Sequence, residues 1–110
     1  MAFESNIPVE TIFGLTAPNA YAVIYDISST LNEFVRINVR YYANKSSFDG
    51  KKAPFDSFEY KAIGQEYQTF AQLLAESNGN IFIAAYNFLR LIKNEQGDLV
   101  FPVETWESVD

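Results

Sequence analysis

Two runs with a two-residue period lie almost back to back between Tyr21 and Tyr42, and they constrain the fold more than any other feature. Over residues 20–28, Tyr21, Val23, Tyr25 and Ile27 alternate with smaller or polar residues. Over 34–42, Val35, Ile37, Val39 and Tyr41 alternate with Phe34, Arg36, Asn38, Arg40 and Tyr42. Alternation built from β-branched and aromatic residues is the mark of strands with one buried and one wetter face, as in antiparallel sheets. If the odd-numbered sets share the core face, Ile27 pairs with Val35 and Tyr25 with Ile37. That register leaves a loop at Thr30-Leu31-Asn32 and sets Asp26 opposite Arg36.

Around this pair the chain reads as one small domain. Residues 1–18 form an N-terminal arm or edge strand, punctuated by Pro8, Gly14 and Pro18 around the short apolar run Thr11–Leu15. Thr16-Ala17-Pro18-Asn19 reads as a turn. Residues 43–53 make a polar loop with an Asp49-Gly50 turn. Pro54 opens a third strand, Phe55 to Ala62, with Phe58, Tyr60 and Ala62 on one side. Phe70 to Glu76 favours a short helix or helical turn. Ser77-Asn78-Gly79-Asn80 supplies N-cap residues for the main helix, Ile81 to Lys93. Its broad apolar stripe needs a sheet on one side and further cover on the other, and Lys93 suits its C-terminal dipole. Leu99 to Val103, broken by Pro102, reads as an edge strand or arm. The expected fold class is α+β: a three- to four-stranded antiparallel sheet packed against one C-terminal helix. Residues 19–93 are its core and 94–110 an extended acidic arm.

Composition excludes more than it assigns. The 110 residues are 48% hydrophobic and 16% aromatic, enough for a core at this length. There is no His and no Cys, which removes thiolate and imidazole metal sites and His-paired nucleophiles. No EF-hand spacing and no Gly-rich phosphate loop is present. The carboxylates, Asp56 with Glu59 or Glu104 with Glu107 among them, read as solvated surface. No catalytic, cofactor or metal residue is therefore expected. A net charge of −6 argues against nucleic acid and anionic membrane as partners. The start of the sequence has no basic, then apolar, leader pattern, and no apolar run approaches a membrane span, so synthesis in a cytoplasm is expected.

The charge is uneven. Residues 95–110 carry five acids (Glu95, Asp98, Glu104, Glu107, Asp110) and no base, whereas residues 1–94 carry nine acids and eight bases. Interleaved with those acids are Leu99, Val100, Phe101, Val103, Trp106 and Val109. Burying such side chains is worth about 1.5–3 kcal/mol each, so the arm must dock, either on its own domain or on a neighbour. Phe101, Trp106 and Val109 are the candidate contacts on the arm. Arg36 and Arg40, on the outer face of the second strand, are the candidate acceptors, and head-to-tail stacking of copies is one arrangement they allow. Tyrosine-rich strands also leave open a glycan platform formed with Trp106.

Ala17-Pro18-Asn19-Ala20-Tyr21 leading into a strand, Val39-Arg40-Tyr41-Tyr42-Ala43 closing the next, Pro54 and Phe58-Glu59-Tyr60, and then Ala84-Ala85-Tyr86-Asn87-Phe88-Leu89 together resemble small uncharacterised proteins encoded beside tail and baseplate genes of tailed phages and prophages. The resemblance covers roughly residues 15–92. It implies a structural role in the tail or baseplate region of a virion, with copies of the chain or other virion proteins as partners. It transfers no catalytic residue. An acidic adaptor, an inhibitor or a tail-fibre assembly chaperone are the neighbouring readings, and a carbohydrate-binding module a further one.

Overall fold

A computed structural model describes residues 1–11, 14–30 and 33–109. Its elements are β1 (Ala2–Ser5), β2 (Val9–Glu10), β3 (Thr16–Ala17), β4 (Tyr21–Thr30), β5 (Phe34–Tyr42), α1 (Lys45–Asp49), β6 (Asp56–Ile63), α2 (Gln65–Glu76), α3 (Ile81–Leu89) and β7 (Trp106–Val109). The fold is α+β, as expected. The sheet is larger than expected: five strands in the order β6-β5-β4-β1-β7, every pair antiparallel, beside a separate β2–β3 pair.

Strands β4, β5 and β6 form a meander in which β5 keeps its anticipated faces. Val35, Ile37, Val39 and Tyr41 are buried, and β6 follows with Ala62 and Tyr60 on the same side. Strand β4 departs from the single alternation. Ile24 pairs with Val39 and Asp26 with Asn38, so Tyr25 is the extra residue of a β-bulge. A one-residue insertion exchanges the faces of everything beyond it. Ala22 and Ile24 therefore face the main core on one side of the bulge and Ile27 on the other, while Tyr25 is 59% exposed. The register past the bulge sets Ile27 against Ile37 and Ser28 against Arg36, so Asp26 does not oppose Arg36. The anticipated loop residues Leu31 and Asn32 lie outside the described residues, as do Ile12 and Phe13.

The helices cover one face of the sheet. Phe70 of α2 and Ala84, Ala85, Phe88 and Leu89 of α3 pack against Phe3, Ala22, Ile24, Ile37 and Val39. Two helices, not one, provide this layer, and α2 is a full twelve residues. Asn80 caps α3, its side-chain oxygen accepting the Phe82 and Ile83 amides at 3.1 Å each. Helix α3 ends at Leu89 rather than Lys93. The chain there turns back on itself: Asn94 Oδ1 accepts from the Gln96 and Asp98 amides, Gly97 takes φ +83°, and Lys93 bridges Leu99. A hairpin over 93–99 is incompatible with helix at Lys93.

The two ends of the chain are not arms. Residues 2–5 form β1 inside the sheet, and β7 pairs along all of it, from Ala2 with Val109 to Ser5 with Trp106. The expected strand at Leu99–Val103 is irregular chain, and the strand comes a few residues later. The polar loop 43–53 holds the short helix α1, capped by Asn44, whose side chain accepts the Ser47 amide at 2.8 Å.

Candidate functional site

The C-terminal segment docks on its own domain. Phe101 is fully buried and Trp106 is 8% exposed. Their rings meet at 5.2 Å, and Tyr41 stacks on Phe101 at 6.1 Å. Arg90, just past α3, secures the segment: Nη1 donates to the Phe101 carbonyl at 2.9 Å and Nη2 to Ser108 Oγ at 2.8 Å. Its guanidinium also lies 4.2 Å from the Phe3 ring centroid. Burial pulls the Arg90 pKa down. Phe101 and Trp106 thus serve the core of this domain. Val109 lies half-buried on the other face of the sheet, against the small cluster of Ala2, Tyr21 and Tyr42. Sequence reasoning did not single out Arg90. The one signal for it is an arginine directly after an apolar helix, and that pattern also describes an ordinary C-terminal cation.

Arg36 and Arg40 do lie on the outer face, where the register arranges the side chains in cross-strand rows. Near the hairpin tip, Phe34 sits between Thr30 and Ile63. The next row is Ser28, Arg36 and Lys61, then Asp26, Asn38 and Glu59, then Val23, Arg40 and Ser57. Three cations lean over rings: Arg36 is 4.8 Å and Lys61 4.2 Å from the Phe34 centroid, and Arg40 is 3.3 Å from that of the bulged Tyr25. Among the described residues the ion pair within 4 Å is Lys45–Asp49, so Arg36, Arg40 and Lys61 are not neutralised by a salt bridge. Diagonally across the same face, β1 and β7 present Glu4 beside Glu107. The face is thus mixed in charge, with Arg36 and Lys61 toward the β4–β5 tip, Asp26 and Glu59 in the next row, and Glu4 and Glu107 at the opposite corner. Phe48 of α1 covers part of the row that holds Glu4, packing on Tyr21 and Tyr42 at 5.4 and 5.2 Å.

The helix side of the sheet carries a second feature. Tyr41, Phe55, Phe58 and Tyr60 line an open pocket of about 700 Å³, bounded by Glu10, Asp56 and the Lys93–Glu95 turn. The hydroxyls of Tyr41 and Tyr60 are hydrogen-bonded at 2.9 Å. Burial, above all, raises the pKa of both phenols, and the Asp56 carboxylate nearby adds to it. Both are neutral phenols at physiological pH. Of the side chains a flat glycan platform could draw on, Trp106 and the strand residues Tyr21, Tyr41 and Tyr42 are buried, while Tyr25 is exposed beneath Arg40.

Comparison with protein-family models, with curated proteins and with solved structures gives no match. No helix among the described residues is long and apolar enough to cross a membrane, and no group of three or more of their acidic side chains is placed to hold a metal ion.

Proposed function

We propose that this chain is a non-enzymatic interaction subunit that associates through the outer face of its sheet, first of all with copies of itself. The observation that carries the reading is the group of three cations without a salt bridge, Arg36, Lys61 and Arg40, held over aromatic rings on the outer face of the sheet. Glu4 and Glu107 lie at the opposite corner. Two copies related by a two-fold axis would set each cationic corner against the other's acidic one, which is the self-complementarity a symmetric dimer needs. The contact therefore draws on the acidic surface of the C-terminal segment, not on its aromatic residues. Asp110 lies outside the described residues.

The setting proposed for this subunit is the tail or baseplate region of a phage virion, assembled from a host cytoplasm. That setting rests on the sequence resemblance over residues 15–92. An acidic adaptor or assembly chaperone would use the same charges on an unrelated protein.

The test is the solution mass by light scattering at low and high ionic strength. Charge-driven contacts weaken as the Debye length falls from about 30 Å at 0.01 M to about 3 Å at 1 M salt. The expected result is an oligomer at low salt that dissociates at high salt and is lost in Arg36→Glu/Lys61→Glu. A monomer under both conditions overturns self-association and directs the search to a heterologous partner.

A further inference from the structure

The pocket on the helix side of the sheet is remote from the cationic face and carries the opposite charge. Its lining holds three acids, Glu10, Asp56 and Glu95, against one base, Lys93. Its walls are ring faces and edges. Tyr41 and Phe58 stand at 88° to each other, Tyr41 and Phe55 at 41°, and Phe58 and Tyr60 at 35°. Rings tilted in this way line an open concavity and do not share the single plane on which a sugar stacks. Phe58 is 51% exposed there on an edge strand. A large ring gains little from such a position unless something covers it.

We propose that this pocket binds a small alkylammonium cation, seated against Phe55, Phe58 and Tyr60 with Asp56 as its counter-charge. Three features select that chemistry. Ring faces carry a negative quadrupole and attract a weakly hydrated organic cation within about 6 Å of their centroids. The carboxylates at the rim oppose an anion and would be superfluous for a neutral apolar ligand. Those carboxylates also do not converge as a metal-binding group among the described residues, so a compact divalent ion finds no coordination sphere, whereas a bulky cation with diffuse charge needs none. The volume of about 700 Å³ falls in the range of about 300–1,000 Å³ usual for small-molecule sites. The Tyr41–Tyr60 hydroxyl pair lies where a hydroxyl on the ligand could extend it.

The sole tryptophan reports on the site without lining it, because Trp106 packs edge-on against Tyr41 at 6.1 Å. The experiment titrates the full chain with choline at constant ionic strength, following Trp106 emission and the ring-proton resonances of Phe58. The control is choline's neutral isostere, in which a tert-butyl group replaces trimethylammonium. Saturable binding of choline, with little response to the isostere, is expected. Asp56→Asn keeps the oxygen that accepts the Ser57 amide at 2.8 Å, and Phe58→Leu keeps an apolar residue in the strand. Each should weaken choline binding by about tenfold, the scale of a desolvated cation–π or charge contact, with unchanged circular dichroism. Equal binding of the isostere, no saturation with choline, or wild-type affinity in both variants would each overturn the proposal.

Discussion

The Ile24 amide donates to the Tyr86 hydroxyl at 3.0 Å, and that hydroxyl donates in turn to the Met1 carbonyl at 2.7 Å. The β1–β4 register, Phe3 with Ala22 and Glu4 with Tyr21, would set Met1 opposite Ile24 if it ran two residues further. It stops instead, and the phenol of α3 stands where the ladder would have closed. The bulge at Tyr25 follows directly. One side chain thus satisfies both strands at the point where β4 turns its faces over.

Tyr86→Phe removes the hydroxyl and little else. It leaves a buried amide and a carbonyl without this partner, at a cost of about 1–3 kcal/mol. Urea denaturation should show that loss with an unchanged m-value, and amide exchange at Ile24 should accelerate.

Tyr41, Tyr60 and Tyr86 all have raised pKa values, with burial the largest cause in each. Their unfolded value is about 10, so above that pH the unfolded chain gives up protons that the folded chain retains. The stabilisation is whole below about pH 10 and is lost as pH rises further. An alkaline unfolding transition should coincide with the late-ionising fraction of tyrosine in ultraviolet difference spectra. Tyr41→Phe should shift that transition to higher pH.

The C-terminal segment is a structural part of the monomer. Phe101→Ala or Trp106→Ala should cost about 3–5 kcal/mol, and Arg90→Ala about 1.5–3 kcal/mol through its charge-assisted bonds. Thermal melting of each variant checks this. A variant that melts like wild type would detach the segment from the core.

Gly79 joins α2 to α3 at φ +82°, and a Cβ there would meet nothing within 4 Å. Gly79→Ala should therefore cost only the backbone term, about 1–2 kcal/mol, measurable by chemical denaturation. Loss of folding altogether would point to contacts beyond backbone strain.

Strand β5 was legible in the sequence because its own inward residues, Val35, Ile37 and Val39, keep a strict alternation, the bulge falling in its neighbour β4. Strand β4 was legible as a strand, yet its faces were not. Tyr25 has the size and β-preference of a core residue, and nothing local to it betrays a bulge beside Ile24, whose amide is bound by Tyr86, sixty-two residues along the chain. The arm's need to dock followed from Trp106 and Phe101 alone. Where it docks depends on β1 and Arg90, and a four-residue strand carries too little alternation to name its partner. The outer-face position of Arg36 and Arg40 was readable from parity. Lys61 joins them only through the β5–β6 register.

The pairing of β7 with β1 has a consequence for the order of assembly. The β4–β5–β6 meander closes short loops, and such contacts form early. The outermost edge must wait for the last residues to meet the first, across nearly the whole chain. Until then Phe3 and Tyr41 lack the cover of Phe101 and Trp106. The final folding step should therefore be the capture of this segment, visible in pulse-labelled exchange as protection of β7 and β1 that lags behind β5. A chain caught before that step would show a half-covered aromatic core, and chaperones would meet it in that form.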